Sequence, residues 1–165
     1  MKTFCVFRHA KSSWEEPLSS DAERPLLATG IERTGIIAEY LVRHEVSFDL
    51  LVSSPARRAL ETSRIIARAL NYRESDIRID ASIYSGGAQA LEEILMSIDD
   101  AIDSVALFGH NPGMTSFVNE YLTKPVTNFP TSAAACFEAD IVKWSDLPAS
   151  YPRELFYISP KNLTI

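Results

Sequence analysis

The fold of this chain is decided by one stretch near its start, Thr3-Phe4-Cys5-Val6-Phe7-Arg8-His9-Ala10-Lys11-Ser12. Its five strand-favouring residues stop on an Arg-His pair and are followed by small polar residues. A short apolar run with such bounds predicts a buried strand. Ligands of α/β folds bind at the carboxyl ends of such strands, so we expect His9 to face a crevice. A lone histidine at a strand end is, however, more often a partly exposed loop residue.

Length and composition are those of an ordinary globular protein. The chain has 165 residues, of which 46% are hydrophobic and 23% charged, and we expect one domain over residues 1–165. The net charge of −6 argues against a nucleic-acid partner, because binding to phosphate backbones needs clustered lysine and arginine. Any phosphate that this acidic protein binds must therefore meet a local cationic pocket.

The two cysteines, Cys5 and Cys136, lie inside apolar runs and lack metal-ligand spacing, which predicts buried thiols. We therefore expect no disulfide, no metal site and no cofactor. The first apolar run is too short for a signal peptide, and no later stretch is long enough to span a bilayer. These features predict a cytoplasmic protein without a membrane partner.

Strand and helix patterns alternate along the rest of the chain. A long loop is predicted over residues 11–27, and loops of that length are usually functional. The other predicted strands are at 48–53, 77–80, 104–108, 133–137 and 155–158, the last two around a loop containing Trp144, and a turn is predicted at 84–87. Predicted helices run from 29–30 to about 44, from Pro55 to about 70, over 88–100, and from Pro112 through Leu122. The second of these helices is predicted to be capped by Ser54 and the last by Asn111. This order predicts a three-layer α/β sandwich, in which a mostly parallel sheet carries helices on both faces.

Two of the three histidines follow predicted strands. His9 and His110 should arrive at the same edge of the sheet, and their convergence is stronger evidence for a site than either alone. The alternative for His110 is a helix N-terminal residue whose imidazole bonds a carbonyl. His44, beside a charged helix end, is interpreted as a surface residue.

Two adjacent arginines, Arg57 and Arg58, follow the second predicted strand. The buried stripe of their helix is predicted to be Ala59, Thr62, Ile66 and Leu70. At about 100° per residue Arg57 points away from this stripe, whereas Arg58 flanks it. An anion bound between Arg58 and the helix N-terminus would offset the repulsion between that cation and the helix dipole. We therefore favour Arg58 as a binding residue, the alternative being two solvated arginines.

Three motifs, in this order, resemble the histidine phosphatase superfamily. They are Arg8-His9, Ser54-Pro55-Ala56-Arg57-Arg58-Ala59-Leu60-Glu61-Thr62 and Gly109-His110-Asn111-Pro112. Within that superfamily the chain is most similar to SixA-type phosphohistidine phosphatases in its short length, in Arg8-His9-Ala10-Lys11-Ser12, in the stretch from Asp21 to Arg24-Pro25-Leu26 and in Gly109-His110-Asn111. The resemblance covers nearly the whole chain and implies a phosphoglycerate mutase-like fold.

The resemblance implies that His9 is the nucleophile that accepts the phosphoryl group. It further implies that Arg8, Arg58 and His110 bind the phosphoryl oxygens. The chemistry agrees, since a neutral imidazole nitrogen is a competent nucleophile near pH 7. Phosphoryl transfer needs mainly in-line positioning and charge stabilisation, which two guanidiniums and a second histidine can provide without a metal.

This chain departs from the common pattern of the superfamily at two places. Ala10 stands where the familiar motif has glycine. Larger relatives also carry a glutamate general acid, and residues 80–90 offer none that aligns. Asp21 is a candidate general acid, although an acid beside Arg24 is more often part of a structural ion pair.

The leading hypothesis is a phosphatase that removes phosphate from phosphohistidine on a protein. A phosphatase or mutase for small phosphate esters, and a non-catalytic phosphate-recognition module, are the alternatives. Its partner is thus a phosphorylated protein or a small phosphate. The residues expected to bind substrate at the pocket mouth are Lys11, Ser12, Arg24 and Asn111.

Overall fold

The computed structural model describes residues 1–14 and 21–163, so the middle of the predicted loop, residues 15–20, lies outside it. Within the described residues six strands form one sheet. They are β1 (Lys2–Arg8), β2 (Leu50–Ser53), β3 (Arg78–Ile79), β4 (Ser104–Gly109), β5 (Ala134–Ala139) and β6 (Arg153–Ile158). Their order across the sheet is β3-β2-β4-β1-β5-β6. The first four are parallel neighbours, whereas β5 runs antiparallel to both β1 and β6.

Helices cover both faces of this sheet. They are α1 (Ala28–Arg43), α2 (Arg57–Ala69), α3 (Ser82–Ser85), α4 (Gly87–Met96), α5 (Gly113–Val118) and α6 (Pro160–Leu163), with 3-10 turns at Asp21–Glu23, Glu74–Asp76 and Trp144–Ala149. Alternate β1 side chains point to opposite faces, Phe4 and Val6 into one core cluster and Cys5 and Phe7 into the other. The predicted α/β sandwich is therefore confirmed.

The central strand is buried on both sides because every β1 residue from Phe4 to Phe7 is apolar. The β1–β5 register sets Cys5 opposite Cys136, and both are buried free thiols, as predicted. Burial raises the pKa of the Cys5 thiol, so it stays protonated and behaves as a small apolar side chain. No helix among the described residues combines the length and apolarity needed to cross a membrane.

Several predicted element boundaries were wrong. Helix α2 begins at Arg57 after an Ala56 N-cap, two residues later than predicted, and the Ser54 hydroxyl bonds both the Ala56 N–H and His110. Residues 82–85, predicted in part as a turn, form α3, and α4 ends at Met96 instead of residue 100. Helix α5 ends at Val118, because the Asn119 side chain bonds both the N–H and the carbonyl of Val126 and turns the chain.

Candidate active site

The carboxyl ends of β1, β2 and β4 open into a cleft of about 620 Å³. It contains all of the predicted site residues together with Ser13, Trp14, Leu27 and Thr131. The predicted ones are Arg8, His9, Lys11, Ser12, Asp21, Arg24, Arg58, His110 and Asn111. The described part of the lining thus carries four cationic side chains and one carboxylate. A chain of net charge −6 therefore holds the local cationic pocket that a phosphate would need.

His9 lies at the floor of the cleft and is only 7% exposed. Its Nδ1 is 2.7 Å from the Ala10 carbonyl, and since a carbonyl can only accept, Nδ1 carries the ring proton. Burial, reinforced by the charges of His110, Arg58 and Arg8, lowers the pKa of His9 to about 3. His9 is therefore neutral near pH 7, with the lone pair of a nucleophile on Nε2.

His110 follows β4 and lies beside His9, with 5.3 Å between the two ring centroids. Its Nε2 forms a 2.7 Å hydrogen bond with the Ser54 hydroxyl, which also accepts the Ala56 N–H. Burial, and then the charge of Arg58, lower the pKa of His110 to about 4. The buried Nδ1 of His110 has no hydrogen-bond partner within the described residues, so it can serve a ligand.

Arg8 is positioned through the loop that precedes β5. Its Nη1 donates to the Phe129 carbonyl at 3.0 Å, and Asn111 Nδ2 donates to the same oxygen at 3.1 Å. Burial, together with the nearby charge of Arg58, lowers the pKa of Arg8. The buried Nε of Arg8 finds no partner in the described parts of the chain, which leaves this donor available to an anion.

The amide of Asn111 is fully used by the protein. Besides Phe129, its Nδ2 donates to Asn128 at 3.1 Å, and its Oδ1 accepts the N–H and the hydroxyl of Thr115. An amide has two donor hydrogens and two acceptor lone pairs, so none remains for a substrate. The predicted start of α5 was wrong by one residue, since Pro112 is its N-cap and Gly113 its first helical residue. Asn111 instead accepts from Thr115 in the first turn and supports Arg8 through Phe129.

Arg58 is buried beside the cleft, whereas Arg57 is exposed and pairs with Glu61, as the helical geometry predicts. Arg58 Nη1 donates to the Asp21 carbonyl at 2.9 Å and Nη2 to Asp21 Oδ2 at 3.0 Å. Its Nε is buried without a partner in the described chain. The guanidinium is therefore held in one orientation, and its Nε remains available to donate to a ligand.

Asp21 connects the two arginines to a residue that the sequence did not single out, Tyr84. Its carboxylate accepts from Tyr84 Oη at 2.5 Å and from Arg24 Nη1 at 3.0 Å, besides Arg58. The Tyr84 hydrogen bond, and then those from Arg24 and Arg58, hold the pKa of Asp21 well below its usual range. An ionised carboxylate has no proton to give near pH 7, so the geometry favours the ion-pair interpretation of Asp21.

Arg24 contacts three neighbouring residues at the mouth of the cleft. Its Nε donates to the Ser13 carbonyl at 2.9 Å and its Nη2 to the Ser12 hydroxyl at 2.7 Å. The guanidinium carbon lies 3.2 Å from the ring centroid of Trp14. Ser12 and Arg24, predicted to bind substrate, thus bind each other and order the mouth. Lys11 lies at the mouth and is exposed.

Two small residues bring the first loop close to the helices. Ala10 N–H donates to Thr62 Oγ1 at 2.9 Å, and that hydroxyl donates to the Arg58 carbonyl. Ala10 does not have a positive φ, so its backbone conformation suits alanine. Gly30 permits a close approach, since a Cβ there would lie 2.3 Å from the Lys11 carbonyl oxygen.

The carboxyl ends of β1 and β4 bring Arg8 and two histidines to the cleft, and the first turn of α2 adds Arg58. This arrangement defines an α/β protein with a cleft suited to phosphoryl groups. The described residues contain no cluster of side chains that could hold a metal ion. Residues 4–84, just under half of the chain, match the model of the histidine phosphatase superfamily (branch 1), so the chain is similar to that superfamily. The order of its three motifs predicts this similarity.

Solved structures extend the likeness over the whole fold. The SixA-type protein of Agrobacterium tumefaciens is 25% identical, with a TM-score of 0.81 over 96% of this chain and 98% of that one. The protein histidine phosphatase SixA complexed with tungstate is 22% identical, with a TM-score of 0.82 over 98% and 99%. These matches confirm the resemblance to SixA-type proteins and the phosphoglycerate mutase-like fold. Together with the family, they support a phosphatase.

A curated plant relative matches over a shorter range. It is an uncharacterised chloroplastic protein of Arabidopsis thaliana, 29% identical over 116 residues. The match covers 66% of this chain and 53% of the relative, so it spans about half of that protein's length.

Sequence reasoning missed the residues that connect the motifs. Ser54, Thr62, Tyr84 and Trp14 each bond or stack on a predicted site residue. Only Trp14 carried a local signal, since a tryptophan in a polar loop is unusual. The other three depend on contacts between distant segments.

Proposed function

We propose that this protein is a metal-independent phosphatase that forms a phosphohistidine intermediate on His9, and that its substrate is phosphohistidine on a protein. The observation that carries the proposal is the position of the single ring proton of neutral His9. The Ala10 carbonyl holds the proton on Nδ1, which leaves the Nε2 lone pair free in a cleft with Arg8, Arg58 and His110. Such a group is poised for nucleophilic attack on phosphorus.

In the first step Nε2 of His9 attacks phosphorus in line, and the bond from phosphorus to the leaving group breaks. The electron pair of that bond stays on the leaving group. Arg8, Arg58 and His110 each keep one buried nitrogen without a partner in the described chain. Buried donors without acceptors are costly, so phosphoryl oxygens are fitting acceptors for them.

In the second step a water oxygen attacks phosphorus of the phosphorylated His9. The phosphorus–Nε2 bond breaks, its electron pair returns to Nε2, and both water protons leave with the phosphate. The hydrogen bond to Ala10 keeps the proton on Nδ1 throughout. His9 is thereby restored to the neutral form in which it began.

The substrate preference follows from the leaving group. Asp21 is the one carboxyl in the described lining, and it is ionised. An alkyl ester expels an alkoxide and needs a well-placed acid, whereas imidazole, with a pKa of about 6.5, takes a proton from water or a weak acid. This difference favours phosphohistidine over sugar and glycolytic phosphates.

Rapid labelling tests the intermediate. The protein is mixed with a ³²P-labelled phosphohistidine protein, quenched within milliseconds and analysed for acid-labile, base-stable label on His9. His9→Ala should lose the label and turnover by orders of magnitude, and His44→Ala, at an exposed histidine outside the cleft, should keep both. Label on another residue contradicts the proposal.

A substrate panel tests the leaving-group argument. We expect kcat/KM for a phosphohistidine protein to exceed that for sugar and glycolytic phosphates. A clear preference for a small alkyl phosphate, lost in Asp21→Asn, would show instead that the protein is an esterase with Asp21 as its acid.

A further inference from the structure

Trp14 is a large aromatic side chain at the mouth of the cleft, and it is 75% exposed. The only other tryptophan of the chain, Trp144, is fully buried in the core. Single exposed apolar residues are common on protein surfaces and need no explanation by themselves. Trp14 differs because its orientation is fixed by a network that also reaches the site.

Arg24 covers one face of the Trp14 ring. Its guanidinium carbon lies 3.2 Å from the ring centroid, and the arginine itself is only 7% exposed. Hydrogen bonds to the Ser13 carbonyl, the Ser12 hydroxyl and Asp21 Oδ1 hold that guanidinium in place. The indole thus rests on an ordered support and has little freedom left to lose when a ligand stacks on its other face.

The chemistry of the reaction directs the leaving group toward this mouth. In-line displacement places the leaving group opposite the nucleophile. Because His9 lies buried at the floor, the leaving group must point outward. The cleft of about 620 Å³ is of the size that holds a whole small ligand, so it has room for more than a phosphoryl group.

Tyr84 is the competing aromatic side chain near the site. Its hydroxyl is engaged by Asp21, and its ring meets His110 edge to face, with 5.3 Å between centroids. It lines a neighbouring pocket of about 170 Å³ and not the mouth itself. Trp14 is therefore the better placed of the two to meet a departing ring.

We propose that Trp14 is the platform on which the imidazole ring of a phosphohistidine substrate stacks. This inference rests on the function proposed above and extends it to a specificity-determining residue. Offset stacking suits a planar ring that leaves in its neutral form, since a cation would be repelled by Arg24 across the indole. Substrates that lack a ring gain nothing from Trp14, so the stacking selects phosphorylated imidazoles over other phosphates.

The kcat/KM values for two phosphorus–nitrogen compounds distinguish stacking on Trp14 from an effect of the substitution on the whole site. Free phosphohistidine has an imidazole leaving group, and phosphoramidate has the same kind of bond without a ring. Trp14→Leu should lower kcat/KM for phosphohistidine by about tenfold and leave that for phosphoramidate within about twofold. Trp14→Phe, which keeps an aromatic face, should stay within about threefold of the wild type for both compounds.

The outcomes distinguish this inference from the proposed function. An equal loss on both compounds shows that Trp14 acts only by supporting Arg24, and no loss on either shows that the leaving group does not stack; each overturns the inference and leaves the function intact. Wild-type protein that hydrolyses neither free phosphohistidine nor a phosphohistidine protein overturns the function, and the inference with it. The phosphoramidate rate and the Tm of each variant report whether it is folded.

Discussion

Replacing Arg58 by alanine should lower kcat/KM by about 10²- to 10³-fold, whereas replacing its neighbour Arg57 should change it less than about twofold. Arg58 is buried at the cleft and keeps an unpartnered Nε, while Arg57 is exposed and contacts only Glu61 among the ion pairs of the described chain. Loss of one donor to a developing anionic charge typically costs about 3–4 kcal/mol in the transition state. An exposed ion pair on a helix contributes only about 0.3–0.5 kcal/mol, and it does so to stability.

The assay is steady-state hydrolysis at pH 7 by wild type, Arg57→Ala, Arg58→Ala and Arg58→Lys. Arg58→Lys keeps the charge but loses the fork that spans the carbonyl and carboxylate of Asp21, so its kcat/KM should lie between those of wild type and the alanine variant. The Tm of each protein shows whether a loss of activity reflects unfolding.

A second measurement tests the same charge without relying on turnover. Arg58 is the second cause, after burial, of the lowered pKa of His110. Removing that cation should raise the His110 pKa, which titration by NMR can follow. Equal activity losses from Arg57→Ala and Arg58→Ala, or an unmoved His110 pKa, would refute the assignment of Arg58 to the site.

Three further predictions concern His9, Asp21 and Thr62. Folding lowers the pKa of His9 to about 3, so the unfolded chain binds more protons than the folded protein below about pH 6.5. The free energy of unfolding should therefore fall as the pH drops from 6.5 to 4.5. Urea titrations should show a smaller fall for His9→Gln. Asp21→Asn should lower kcat/KM by about tenfold for phosphohistidine and alkyl phosphates alike, because an ionised carboxylate only positions Arg58; a loss confined to alkyl phosphates would make Asp21 the acid. Thr62→Val should destabilise the protein by about 1–3 kcal/mol, since the buried Ala10 N–H loses its acceptor, and Thr62→Ser should not; identical Tm values for the two variants would argue against this contact.

The positions of the motifs could be predicted from sequence because they depend on local pattern. An unbroken apolar run identified β1 as a strand buried on both faces, and the alternation of elements identified the layered fold. The 3.6-residue period of α2 distinguished buried Arg58 from exposed Arg57. Each of these features depends on the pattern of apolar side chains within a single strand or helix.

Partners across the site could not be predicted, because they join segments far apart in the chain. Arg58 pairs with Asp21, 37 residues away, and His110 with Ser54, 56 residues away. No local period encodes which loop will close on which strand end. The sequence motifs therefore identified the residues of the cleft but not which of them are already occupied by one another.

The sequence by itself thus determined the strand that ends in Arg8-His9, the sheet with helices on both faces, and the set of residues at its edge. Only the tertiary structure decided that Asn111 supports Arg8, that Asp21 is held ionised by Tyr84 and two arginines, and that Trp14 rests on Arg24. Apolar periodicity dictates burial within an element, whereas a hydrogen bond or a shifted pKa depends on geometry and dielectric that exist only after distant segments have packed.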